Sequence, residues 1–269
     1  MHVAVCVKQI PDPAAPGKLD PTTRTLVREG KFVMDDSDSY GVEMALQLVQ
    51  AAGGGAVTVI SMAPGGEVKG VREALAMGAD DAIVISDEAL RGSDALSTAK
   101  VLAAAVRRAG EAGGGIDLVL AATESTDGYT GTTPVQVAAL LGLPSITFAK
   151  KVTCGESALG GLTVTVERQT DEGHDDIQAA LPALVTLTAG SVEPRYPAFK
   201  AIMGAKAKPC QVIGLADLGL DPGDVGFAGA RQEITSVTAA AERTAGDVVE
   251  DDGQAHVRIV SYLESLKVV

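Results

Sequence analysis

Aromatic residues are scarce in this chain of 269 residues: they make up 3%, and tryptophan is absent. A core without large rings must be assembled from Val, Ile, Leu and Ala. That favours layered α/β packing, in which buried parallel strands are aliphatic runs. Cysteine is rarer still. Cys6, Cys154 and Cys210 are far apart, odd in number and form no CxxC pair. A disulfide framework and a zinc ribbon are therefore not expected, and a reducing compartment is. No apolar run approaches the ~18 residues of a membrane span, so direct membrane insertion is not expected. Positive charge is short too: 22 Lys and Arg stand against 35 Asp and Glu, a formal net charge of −13. Such a surface repels a phosphate backbone and an anionic membrane alike, so no nucleic acid partner is expected. The start, Met1–Lys8, lacks the layout of a signal peptide and reads as a first strand, which makes a cytoplasmic location the expectation.

What is present is an alternation of strand and helix signals. Val3–Val7 is a short β-branched run, and the Pro-rich stretch from Pro11 to Pro21 suits neither a helix nor a central strand. Capping residues at Asp35–Ser39 precede Val42, Ala45, Leu46 and Val49, whose spacing predicts a helix from about Ser39 to Ala52. Val57–Ser61 and Ala82–Ile85 read as buried strands, with a helix between them that ends at Gly78. Ser93 or Asp94 caps a long helix that stops at the glycines 113–115, and Asp117–Ala121 reads as a fourth strand. A further helix begins near Thr133 or Pro134 and ends at Gly142. This order implies a parallel, doubly wound sheet, Rossmann-like in its layering. Leu162–Gln169, Ile177–Leu181 and Ala183–Thr188 read instead as an antiparallel extension. The domain reading is an α/β body over 1–190 and a C-terminal arm over 191–269, because the pattern breaks after Gly190 and only a final amphipathic helix near Ala255–Lys267 stands out.

The informative segment is the loop from Ala122 to Thr133, between a strand and a helix. It is longer than the ~2–6 residues of most βα loops. Gly128 and Gly131 allow close backbone approach, and Thr126, Thr130, Thr132 and Thr133 add hydroxyls. At the carboxyl end of a parallel strand, such a loop and the helix terminus after it suit a phosphate. It is neither GxGxxG nor GxxxxGK[ST]. Asp35, Asp36, Ser37 and Asp38 cap a helix, and an acidic first turn is favourable there without any ligand. Asp171–Asp176 reads as an acidic hairpin tip rather than a metal cluster. No Ser-His-Asp, Cys-His or paired-acid arrangement stands out as catalytic.

Several segments together resemble the β subunit of electron-transfer flavoproteins. They are Val3–Asp12, Ala74–Asp80, Thr126-Asp127-Gly128, Asp217-Leu218-Gly219 and Arg243-Thr244-Ala245-Gly246; the most specific is Glu193–Lys206, which reads EPRYPAFKAIMGAK. The resemblance implies a fold like that of adenine-nucleotide α-hydrolases. It implies a soluble 1:1 heterodimer whose α subunit holds most of the FAD, and an AMP bound within the β subunit. Such carriers take electrons from flavin dehydrogenases of the acyl-CoA type, in fatty acid oxidation, and pass them to a membrane quinone oxidoreductase. Carried over by position, the AMP site comprises Cys6, Asp35, Asp36, Ser37, Asp38, Met62, Ala122, Thr123 and the run Asp127, Gly128, Tyr129, Thr130, Gly131, Thr132, Thr133. The partner-binding residues are Glu193, Pro194, Arg195, Tyr196, Phe199, Ile202, Met203 and Lys206, with Phe199 at the place of an apolar anchor. Gln169 stands where several relatives place a Glu that influences interdomain motion. Two other readings are an electron-bifurcating relative with FAD in the β pocket and a standalone adenine-nucleotide enzyme. The latter is disfavoured by Lys8–Asp12 where a PP-loop would stand.

Overall fold

In the computed structural model, residues 1–15, 17–157, 160–238, 246 and 248–268 are described. The chain starts with β1 (His2–Cys6), whose Val3, Ala4 and Val5 are wholly buried. The Pro-rich stretch is flanked by a small antiparallel hairpin of β2 (Gln9–Pro11) and β3 (Phe32–Met34). Asp35 then caps α1 (Asp36–Ala51), a turn earlier than the apolar periodicity alone suggests. There follow β4 (Ala56–Met62), α2 (Lys69–Met77) with Gly78 at its end, β5 (Asp81–Ile85), α3 (Ala95–Gly113) capped by Asp94, β6 (Leu118–Ala122) and α4 (Thr133–Leu141) closed by Gly142. These match the expected alternation closely.

The rest of the body completes the sheet. It contains β7 (Ser145–Glu156), β8 (Leu162–Thr170), β9 (Gly173–Ala180), β10 (Ala183–Leu187), the short helix α5 (Phe199–Ala205), β11 (Cys210–Ile213) and one turn of helix, α6 (Gly226–Gly229). The nine-stranded order is β11-β5-β4-β1-β6-β10-β7-β8-β9. All neighbours from β11 through β7 are parallel; β7, β8 and β9 pair antiparallel.

One expectation needs correcting. β10 belongs to the parallel body, between β6 and β7, and not to the antiparallel extension. Its five residues, Ala183–Leu187, are all buried, as a strand covered on both faces requires. Asp171 and Glu172 form the turn between β8 and β9, the acidic hairpin tip.

Alternation along the strands sends side chains to two cores. Val3, Val5, Val57 and Val59 pack against Val42, Ala45 and Leu48 of α1 and Val71 and Leu75 of α2. Ala4 and Ile60 pack on the other face with Ala99 and Val106 of α3 and Val137 and Ala138 of α4. Gly70 shows how tight the first layer is. A Cβ there would lie 2.7 Å from the Met34 nitrogen, and Gln9 donates to Glu67 O and accepts from Gly70 N beside it.

The chain divides into two compact units, Met1–Ile234 and Thr235–Val269. The first therefore runs well past Gly190, because β11 joins the sheet beside β5. The second contains α7 (Ala255–Ser265), on which Val257, Ile259, Val260 and Tyr262 are exposed. Of the late segment Arg243–Gly246, residues 243–245 lie outside the described residues.

Candidate functional site at the carboxyl end of the sheet

β1 lies at the centre of the parallel part of the sheet, with β4 on one side and β6 on the other. The chain leaves β1 toward β4 and β5, then returns across it to β6. This reversal is a switch point, and open α/β sheets bind ligands in the crevice outside the strand ends there. The register places Cys6 beside Ile60 and Ala121, so Cys6, Met62 and Ala122 sit at neighbouring strand ends.

Two buried carboxylates organise this rim. Asp35 accepts from the Ser37 N–H at 3.1 Å as the α1 cap, and its other oxygen accepts from the Thr126 N–H at 2.7 Å and the Thr126 hydroxyl at 3.0 Å. A helix cap thus doubles as the anchor of the β6–α4 loop. Asp38, one turn on, accepts from the Lys8 N–H at 2.6 Å at the end of β1, and the Ala122 N–H at the end of β6 favours its charged form. Burial pushes the Asp38 carboxyl well above the ordinary carboxylate range, and the Asp35 charge adds to this against the pull of those N–H groups. Asp36 is exposed and Ser37 half-buried, so Asp35 and Asp38 are the buried members of the expected acidic run.

Asp127 is the third. Its side chain is 7% exposed, and it meets Lys8 Nζ at 2.5 Å and an Arg28 guanidinium nitrogen at 2.6 Å. Burial raises its carboxyl, but the two cations outweigh this and hold it below its ordinary range. Lys8 also donates to Ser125 Oγ at 3.1 Å. Lys8 and Arg28 thus bring two cations to this corner, both paired with Asp127, next to the loop that Asp35 anchors.

The loop between Asp127 and α4 is held in shape by its backbone. Tyr129 adopts a left-handed conformation, φ 48°, as does Gly131 at 63°. For Tyr129 that conformation is strained. Its ring points into solvent, as do the side chains of Thr130 and Thr132. Thr132 precedes α4 without capping it by its side chain, and Pro134 lacks an N–H. The N–H groups of Thr133 and Val135 are thus left for an acceptor from elsewhere. Gln136 Oε1, in the same turn, is buried without a hydrogen-bond partner. Thr123 turns the other way, and its hydroxyl donates to Leu187 O at 3.0 Å.

Burial and the Asp38 charge push the Cys6 thiol up to about 12. It stays protonated at neutral pH and is no nucleophile.

The geometry brings together Cys6, Asp35, Asp38, Met62, Ala122 and Asp127–Thr133. It adds Lys8, Arg28 and Ser125, which sequence reasoning missed. Lys8 directly follows the strand-end residue pair and had a signal in that position; Arg28 lies in the excursion after the Pro-rich stretch, and nothing in its surroundings announces it. The expected partner-binding residues lie elsewhere, along α5 and the segment before it. Tyr196 is 92% and Phe199 79% exposed, and Ile202 and Met203 are also open to solvent. Arg195 instead turns to Glu43 of α1, a residue not anticipated.

A family model, the electron transfer flavoprotein domain, matches residues 23–218. The chain belongs to this family. It is similar to the electron transfer flavoprotein subunit beta of Mycobacterium tuberculosis, 38% identical over 100% of this chain and 99% of the relative. The subunit beta of Megasphaera elsdenii is 33% identical over the whole of both chains. The caffeyl-CoA reductase-Etf complex subunit CarD of Acetobacterium woodii is 34% identical over 82% of this chain and 81% of its own. As an electron transfer flavoprotein subunit, the chain shows no helix among its described residues that is long and apolar enough to cross a membrane.

Proposed function

We propose that the chain is the β subunit of a soluble electron carrier that pairs 1:1 with an α subunit and binds AMP at the strand-end rim. The observation that carries this is the loop after β6: an α-helix terminus without a side-chain cap, beside the Lys8–Asp127–Arg28 cluster and buried Asp35. The N–H groups of Thr133 and Val135 would take the phosphate, with the helix dipole in its favour. The half-buried Cys6 and Met62, both on the α3 side of the sheet, offer apolar surface to a base. Asp35 holds the loop and Asp38 the end of β1 in place. The FAD held mainly by the α subunit would supply the electron storage, and the β chain would carry out no bond chemistry.

In this reading α5 and the residues before it, Glu193 to Lys206, dock flavin dehydrogenases of the acyl-CoA type. Delivery goes to a membrane quinone oxidoreductase, from a cytoplasmic pool, in fatty acid oxidation. An exposed apolar side chain such as Phe199 suits a pocket anchor. α7 of the C-terminal arm would lie on the α subunit, because it exposes its apolar side chains within its own unit. A bifurcating carrier with a second FAD in the β site is a separate reading, favoured by the likeness to a subunit of a caffeyl-CoA reductase-Etf complex. Co-expression with the candidate α chain tests the assignment. It should give a yellow 1:1 complex, and a colourless chain that elutes alone would overturn it.

A further inference from the structure

The segment that carries Phe199 presents a puzzle of stability. Tyr196, Phe199, Ile202 and Met203 are exposed, and on α5 only Ala205 is buried. A helix this short has little stability of its own in water. Something other than apolar packing must hold it.

Charged groups at both ends do so. At the front, Arg195 meets Glu43 in a fork: Nε to Oε2 at 2.6 Å and a terminal nitrogen to Oε1 at 3.0 Å. The Arg195 N–H adds a third bond to Oε2 at 3.2 Å. Glu43 lies in α1, its side chain 4% exposed, and Gln47 one turn on donates to Oε1 at 2.8 Å. Burial raises the Glu43 carboxyl, but its bonds from Arg195 and Gln47 outweigh this and keep it below its ordinary range, so it is charged at neutral pH. At the back, α2 and the end of α5 cap one another. Arg72 donates to Ala205 O at 2.7 Å and Lys208 O at 2.8 Å. Lys208 returns two bonds, to Leu75 O at 3.0 Å and Ala79 O at 2.5 Å.

We propose that Glu43 is a positioning residue for docking: through Arg195 it fixes the front of the segment so that the Phe199 face is ordered before a dehydrogenase arrives. The Arg195 guanidinium is committed to Glu43 and acts within the chain, where the resemblance assigned it to the partner. A segment already ordered loses less freedom on binding than a loose one. The fork matters because a bidentate guanidinium–carboxylate pair fixes orientation as well as distance. This rests on the reading of α5 as the docking element.

The test uses the full heterodimer, an acyl-CoA dehydrogenase reduced by its substrate as electron donor, and bleaching of the carrier's flavin as readout. Glu43→Gln keeps size and one acceptor and removes the charge. It should raise the KM for the carrier about 10-fold with kcat within about 2-fold, the signature of lost binding rather than lost chemistry. Hydrogen exchange should quicken across 193–204 and stay unchanged across 122–133. Arg195→Gln should give the same KM, and the double variant should be no worse than either alone, because one interaction is removed twice. Arg195→Lys should recover only part of the loss. Phe199→Ala separates the two levels of the argument. If it raises KM while Glu43→Gln leaves KM and exchange unaltered, the positioning role is wrong and the docking reading stands. If neither variant moves KM, the docking reading itself is wrong. Additive effects of Glu43→Gln and Arg195→Gln would also overturn the proposal.

Discussion

The strand-end rim and the α5 segment solve opposite problems. At the rim, polar groups are buried and hold one another: Asp35 spans a helix cap and a loop, Asp38 holds the end of β1, and Asp127 takes two cations. At α5, apolar groups are exposed and polar groups fasten the ends. The first arrangement fixes the strand ends and the loop against one another. The second leaves an apolar face open to solvent. A buried polar group is costly to orphan, whereas an exposed apolar one contributes little to the fold. Substitutions in the two regions should therefore differ in kind.

The largest effect is expected from Asp35→Ala. It strands the Thr126 N–H and hydroxyl and removes the α1 cap, which should cost about 2–4 kcal/mol. Urea unfolding of the complex measures this, and a loss under 1 kcal/mol by the same scale would mean water replaces the carboxylate and the rim is not rigid. Asp127→Asn comes next, at about 1–2 kcal/mol at neutral pH, since the pair with Lys8 and Arg28 is only partly shielded. Because the Asp127 carboxyl is held below its ordinary range, its stabilisation is full above the unfolded-state value and fades as pH falls through the folded-state value. The variant should thus show a shallower acid limb, and parallel limbs would contradict the assignment.

Asp38→Asn sharpens the contrast by its sign. The Asp38 carboxyl is pushed upward, so the folded state binds its proton more tightly than the unfolded state. Stability from this group is full at low pH and is lost as pH rises from the ordinary Asp value through the folded-state value. The variant should gain on the wild type as pH rises from 4 toward 7, by the same linkage. A constant gap would show that Asp38 is not the titrating group. The smallest effect on stability belongs to Phe199→Ala, within about 0.5 kcal/mol, together with slower electron uptake from the dehydrogenase. A large loss of stability there would show that the face packs inside the molecule.

Much of the body was legible because its strands are short aliphatic runs and its helices carry plain stop and start signals. Asp35, Asp94, Gly78, Gly114 and Gly142 all sit at helix ends. β7 escaped reading for a local reason. Phe148 adopts φ 59° and the register slips between Ala149 and Lys151, so the alternation that would mark the strand is broken. β10 was seen as a strand and given the wrong neighbours, since strand order depends on partners distant in sequence. The rim was legible where it lies in one loop, Ala122–Thr133, and at the caps of α1. Its cations were not: Arg28 reaches Asp127 across 99 positions. Glu43 was hidden differently. It occupies an inward position of an amphipathic helix, where a buried acid is explained only by Arg195, 152 positions away.

The account depends most on an adenine nucleotide at the strand-end rim. Acid extraction of the purified complex with its α subunit, followed by chromatography, measures this directly. The account predicts one AMP for each of these chains beside one FAD. FAD alone, at one per heterodimer and with no second adenine nucleotide, would contradict it.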